Sequence, residues 1–234
     1  MSEALASLQE RIGYRFTDPG LLTAALTHSS WAVEHPRDDH NQRLEFLGDS
    51  VLQLVLAEAL FILFPLDREG ELTKRRAILI QGRFLCGLAR EIGLGPCLRL
   101  GVGEEGAGGR NRDAALEDAF EALVGAINLD GGLAAARAVV LAIYGDLATR
   151  LGQMEDHANP KGRLQEIVQP LHGNKAVRYE LLGTEGGDHE KRYEVAVYLL
   201  DRRLGAGRGT SKQRAEEEAA RAALLTLAAD PPAP

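Results

Sequence analysis

The apolar periodicity of this chain changes once, near residue 155, and that change restricts it to folds with a helical part first and a mixed part second. Before the change, apolar residues recur three and four apart; after it, two segments alternate residue by residue. Asp18-Pro19 gives a helix start with proline in the first turn, followed by Leu21, Leu22, Ala25 and Leu26 on one face. From Gln42 to Phe64, Leu44, Leu47, Val51, Leu54 and Val55 keep helical spacing until Pro65 ends the run. Further helices are expected over about 71–92, 113–128 and 133–151, with breaks at Gly93 and at Asp130-Gly131-Gly132. Gly101 to Arg110 holds too much glycine for a helix or a strand and reads as a loop. It lacks the Gly-Lys-Ser/Thr ending of a phosphate-cradling loop.

Gly152 to Asn159 shows no apolar period and stops at Pro160, which places a linker at 153–157 between a domain over 1–152 and another over 158–228. The second domain opens with a short helix over about 160–170. Alternation then marks strands at Val177–Leu181 and Tyr193–Tyr198, with a third at Leu204–Gly207 and a helix from Ser211 to about Leu227. Residues 229–234, rich in proline, read as a disordered tail. The expected fold class is an all-α domain followed by a small α+β domain of order α-β-β-β-α.

Composition narrows the function. The 234 residues carry 27 basic and 34 acidic side chains, a net charge of −7, and are 45% hydrophobic, which excludes a mainly disordered chain. Residues 1–156 hold 15 basic and 23 acidic groups, and the remainder 12 and 11, so a polyanion partner would meet a local basic patch in the second half. Two cysteines, Cys86 and Cys97, cannot build a disulfide scaffold; with no leader segment at the start, a cytoplasmic location is expected. Apolar runs interrupted by Gln53 and Glu58 fall short of the roughly 20 residues that cross a bilayer. No membrane partner is expected.

Two helices carry chemistry. Glu45 and Asp49 are four apart, about 40° of rotation on a helix, and Asp118 and Glu121 are three apart, about 60°. Each pair lies on a narrow stripe in an apolar helix with no Lys or Arg beside it. Like charges in a poorly hydrated cleft call for shifted pKa values or a bound cation, and an oxygen-only set suits Mg2+ or Mn2+. Such a cation activates water and stabilises a phosphoryl transition state. The same spacing also suits solvated faces of surface helices, and spacing alone does not make the two helices meet.

His40-Asn41-Gln42-Arg43-Leu44-Glu45-Phe46-Leu47-Gly48-Asp49-Ser50-Val51-Leu52 resembles the signature of the ribonuclease III family of double-stranded-RNA endonucleases. Leu116-Glu117-Asp118-Ala119-Phe120-Glu121-Ala122-Leu123-Val124-Gly125 resembles that family's second acidic motif. The likeness runs from about Leu8 to Leu227. It implies a helical endonuclease domain, Mg2+ (with Mn2+ as a substitute) held by Glu45, Asp49, Asp118 and Glu121, and catalytic roles for Asp49 and Glu121. It also implies a homodimer with Phe46 as the contact aromatic; plain intrachain core is the lesser alternative for that ring. Cleavage would leave 5′-phosphate and 3′-hydroxyl ends with short 3′ overhangs, in processing of rRNA precursors and mRNA. Gln42 and Glu69 fall at the processing centre, where the family commonly has Glu at the position of Gln42; Gln42 keeps hydrogen-bonding capacity without charge.

The second domain resembles a double-stranded-RNA-binding domain, which reads A-form shape through phosphates and 2′-hydroxyls. The resemblance implies RNA contacts at Gln165 and Glu166 of the first helix, His189 of a strand-linking loop, and Ser211, Lys212 and Arg214 at the start of the second helix, where free N–H groups favour phosphate. Gly162 and Gln213 depart from the family's usual Thr and basic residue. Arg110 and Arg112 are further candidates for phosphate. The rival reading is a non-catalytic RNA-binding regulator whose helical domain only dimerises.

Overall fold

The computed structural model describes residues 2–158, 160–173, 176–186 and 191–229. Contacts divide the chain after Ala148 into two compact units. The first holds α1 (Ser2–Ile12), α2 (Pro19–Ala25), α3 (Ser29–Glu34), α4 (Gln42–Leu63), α5 (Glu69–Leu79), α6 (Gly82–Glu91), α7 (Val102–Gly106) and α8 (Asp113–Tyr144), and α9 (Leu147–Ala158) runs across the division. The Asp18 carboxylate accepts from the Gly20 N–H at 2.8 Å and caps α2. Leu52, Val55 and Leu56 of α4 and Ala119, Phe120 and Leu123 of α8 are buried, so these two helices form the centre of the unit. Gly132 takes φ +78° inside α8, and the helix kinks there.

Both α4 and α8 are long and apolar enough to span a bilayer, although the apolar runs read from the sequence are shorter. Each carries two carboxylates in its N-terminal half within electrostatic reach of the other helix's pair, and each buries apolar side chains in the domain core.

Three local expectations are corrected. The stretch over 71–92 is two helices, α5 and α6, separated at Ile80 and Gln81, where Gln81 turns to ψ 137°. The stretch over 101–110 is not an open loop: α7 and a 3-10 turn over Gly109–Asn111 occupy it. Two of its glycines serve close approach: a Cβ on Gly101 would lie 2.6 Å from the Ser30 carbonyl oxygen and one on Gly109 would lie 2.7 Å from the Glu104 side chain. The expected helix over 133–151 breaks at Gly145, φ +62°, and α9 then covers the residues read as a linker, 153–157. Polar residues without an apolar period still form a helix when no proline intervenes before Pro160.

The second unit contains α10 (Pro160–His172), β1 (Val177–Glu185), β2 (Arg192–Leu199), β3 (Arg202–Gly209) and α11 (Lys212–Ala229). The sheet is antiparallel in the order β1-β2-β3, and this unit with the helical one gives the expected fold class. Leu164 and Val168 of α10, Val195, Val197 and Leu199 of β2, Leu204 of β3 and Ala215, Ala219, Ala220 and Ala223 of α11 lie in its core. Gly205, Gly207 and Gly209 alternate along β3 toward α11; a Cβ on Gly207 would stand 2.2 Å from the Ala219 backbone nitrogen. The helix therefore rests on strand backbone. Ala229 ends α11, and the rest of the expected tail, 230–234, lies outside the described residues.

Candidate active site

The site begins where α4 and α8 cross. A Cβ on Gly48 would lie 1.8 Å from the Glu121 carbonyl oxygen, and one on Gly125 would lie 2.2 Å from the Leu44 carbonyl oxygen. Two glycines let the helices approach this closely: Gly48 adjoins Asp49, and Gly125 follows Glu121 by four residues. Glu45 and Asp49 on α4 thereby come within electrostatic reach of Asp118 and Glu121 on α8.

Burial pushes the Glu121 carboxyl up to about 8, and the charges of Asp49, Glu117, Glu45 and Asp118 push the same way. Glu45 is also raised, by burial first and then by Asp118, Glu117 and Asp49. Asp118 is raised by burial, with His28 opposing. Among the described residues no ion pair reaches any of the four carboxylates. Asp49 is held within its own helix: Gln53 Nε2 donates to both carboxylate oxygens at 2.9 Å.

Among the described residues, no three His, Cys, Asp or Glu side chains converge closely enough to enclose a metal ion as they stand. The donor chemistry nevertheless fits a hard divalent cation: an all-oxygen set, mutually repelling and without a paired Lys or Arg.

Glu117 and His28 complete the surroundings, and the sequence reading gave neither a place here. The Glu117 carboxylate sits against Gly82 at the start of α6, where a Cβ would lie 2.2 Å from Oε2; a carboxylate is favoured at a helix N-terminus. The only sequence signal is that Glu117 immediately precedes Asp118. His28 caps α3 through Nδ1, which accepts from the Ser30 N–H at 3.2 Å and meets Ser30 Oγ at 2.8 Å.

Phe46 is 79% exposed on α4, which removes the reading of that ring as intrachain core. Gln42 opens α4, while Glu69 opens α5 beyond the far end of the same helix. With 22 residues, α4 is about 33 Å long, so one chain does not bring Gln42 and Glu69 to a common site through this helix. Glu69 instead accepts from Thr73 Oγ1 at 3.1 Å. Arg110 is committed to the fold, donating to the Gly95, Pro96 and Leu98 carbonyls and pairing with Glu105; Arg112 pairs with Glu104.

In the second unit, Gln165 and Glu166 are exposed on α10, with Glu166 3.4 Å from Arg163. Ser211 Oγ accepts from the Arg214 N–H at 3.2 Å and caps α11. Lys212 and Arg214 are exposed beside that cap. His189 lies outside the described residues.

Two family models match. One described as Ribonuclease-III-like covers residues 18–147, and the double-stranded RNA binding motif covers 160–227. The chain is 46% identical over 221 residues to Ribonuclease 3 of Nitratidesulfovibrio vulgaris, covering 94% of this chain and 87% of that protein. It is 48% identical over 216 residues to Ribonuclease 3 of Symbiobacterium thermophilum, covering 92% and 91%. A solved nuclease domain of ribonuclease III from Campylobacter jejuni, described for structural flexibility in a region involved in dimer formation, is similar at TM-score 0.56 and 40% identity. It covers 58% of this chain and 93% of the solved one.

Proposed function

The chain belongs to the ribonuclease III family, and from that premise we propose that the carboxylates gathered at the α4–α8 crossing perform cation-dependent hydrolysis of double-stranded RNA. The protein is an endoribonuclease with a double-stranded-RNA-binding unit. The carrying observation is the backbone crossing at Gly48 and Gly125, which sets two acidic pairs from different helices within each other's field.

Glu45, Asp49, Asp118 and Glu121 would hold Mg2+, with Mn2+ as a substitute. When bound, the cation supplies a water of lowered pKa and shields charge developing on the phosphoryl oxygens. Without it, burial and like charges favour a protonated Glu121 near neutral pH. Asp49 and Glu121 are the catalytic carboxylates of this reading: fixed on facing helices, they orient the reacting groups in a poorly hydrated cleft. The products carry 5′-phosphate and 3′-hydroxyl ends with short 3′ overhangs, as in rRNA precursor and mRNA processing in the cytoplasm.

A homodimer supplies the second site, since two antiparallel strands related by a two-fold axis require two cuts. The exposed Phe46 supports that assembly. So does the length of α4: with Gln42 and Glu69 at opposite ends of it, an antiparallel second copy would bring Gln42 of one chain toward Glu69 of the other at a shared processing centre. We take the nuclease part as 1–152 and the RNA-binding part as 158–228, with Gln165, Glu166, His189, Ser211, Lys212 and Arg214 as the duplex contacts.

The test is single-turnover cleavage of a labelled duplex of about 20 to 30 base pairs, roughly the span an RNA-binding unit covers with a margin. It is run with and without Mg2+, alongside a filter-binding titration. Glu121→Gln keeps shape and removes charge, so cleavage should fall by orders of magnitude with binding retained. Binding without Mg2+-dependent cleavage by the unaltered chain would leave a non-catalytic RNA-binding regulator instead.

A further inference from the structure

We propose that Gln53 is a positioning residue for the cleavage reaction, fixing the Asp49 carboxylate by donating its side-chain amide to both oxygens. This rests on the reading of Asp49 as a cation ligand. The two residues are four apart on α4, so their side chains share a face, and Gln53 Nε2 stands 2.9 Å from Asp49 Oδ1 and 2.9 Å from Oδ2. Among the described residues no other hydrogen bond or ion pair reaches Asp49.

The position of Gln53 fits the task. Glu45 lies one turn before Asp49 on the same stripe, and Gln53 lies one turn after it. Repulsion from Glu45 and attraction to the amide thus act from opposite ends of one carboxylate. Each carboxylate oxygen has two acceptor sites, so one N–H contact leaves each oxygen able to meet a cation. An amide is the right donor, because it orients Asp49 without cancelling its charge. A lysine ammonium would hold the same oxygens and neutralise them; a carboxylate would add another repelling charge.

Hydrogen-bond partners behind a ligating group commonly tune metal affinity or activity by about 10- to 100-fold. The experiment compares full-length wild type with Gln53→Met, which keeps length and removes the donor, and Gln53→Lys, which keeps a donor and adds charge. Both replacements are good helix formers, and thermal melts of each variant check the fold. Binding of Mn2+ without RNA is followed by electron paramagnetic resonance, and cleavage of duplex RNA is followed across a Mg2+ titration.

Gln53→Met is expected to weaken Mn2+ binding and raise the half-saturating Mg2+ concentration by about 10-fold or more, with cleavage recovering at high Mg2+ and KM for RNA unchanged. Gln53→Lys is expected to weaken Mn2+ further despite its donor. A Gln53→Met protein with wild-type Mn2+ affinity and Mg2+ dependence overturns the inference alone, because wild type still binds the ion and cleaves. A wild type that neither binds Mn2+ nor cleaves overturns this inference together with the endonuclease reading.

Discussion

Gly48 and Glu121 meet backbone to backbone, so closely that a Cβ on the glycine would stand 1.8 Å from the Glu121 carbonyl oxygen. The neighbour is main chain on a core helix and has no rotamer through which to yield. The separation of α4 and α8, and with it the spacing of four carboxylates, is therefore set by two missing methyl groups, at Gly48 and Gly125.

Gly48→Ala should destabilise the fold by roughly 3 kcal/mol or more, the upper end of overpacking penalties, because the helices themselves must part. Chemical denaturation measures it. A change below about 1 kcal/mol would mean the crossing is looser than the structure has it.

Stability of the cation-free protein should fall as pH rises from about 4.5 toward 8. Glu121 is raised in the fold from its ordinary 4.5 to about 8, so over that window the folded chain keeps a proton that the unfolded chain releases. The full contribution is present below the unfolded value and is lost as pH climbs through the folded one, with an upper bound of roughly 5 kcal/mol. Denaturation midpoints in chelator across this range should slope downward with pH, and Glu121→Gln should flatten the slope.

Phe46→Ala should leave the single chain's stability almost unchanged, since the ring is 79% exposed there. If a second copy buries the ring fully, the dimer should weaken by roughly 3 to 5 kcal/mol. Sedimentation equilibrium distinguishes this from an unchanged association constant, which would remove Phe46 from the interface.

Lys212→Ala combined with Arg214→Ala should weaken duplex binding and reduce the slope of log affinity against log salt by about 2, one for each lost phosphate contact. A uniform loss of affinity with an unaltered slope would mean that these side chains do not neutralise phosphate.

Leu200 holds φ +54° in the turn between β2 and β3, a left-handed conformation that a branched apolar side chain resists, and it is 58% exposed. Leu200→Asn should raise stability by up to about 1 kcal/mol, read from thermal melts.

The two acidic pairs and the order of the units were legible in the sequence because each is a matter of spacing along one element. The meeting of α4 and α8 was not, since it depends on Gly48 and Gly125, which in a sequence register only as weak helix positions. Glu117 was passed over for a related reason: its carboxylate is seated against Gly82, a residue on another helix, and periodicity sees one helix at a time. Arg110 reads as a free cation beside glycines, yet it donates to the carbonyls of Gly95, Pro96 and Leu98, 12 to 15 residues earlier in the chain. α9 buries Leu147 and Leu151 near its start, but the residues that follow, read as a linker, carry no apolar period, and a helix continues through such residues without one.

Glu45 and Phe46 are consecutive on one helix, one facing the carboxylate cluster and the other exposed to solvent. Inserting or deleting a single residue between Gln42 and Asp49 would rotate everything beyond it by about 100° and shift it by about 1.5 Å. Gly48 would leave its place against Glu121 in the same movement. Substitutions in this segment can be sampled one at a time, whereas any change of length alters the cleft, the helix crossing and the exposed aromatic at once.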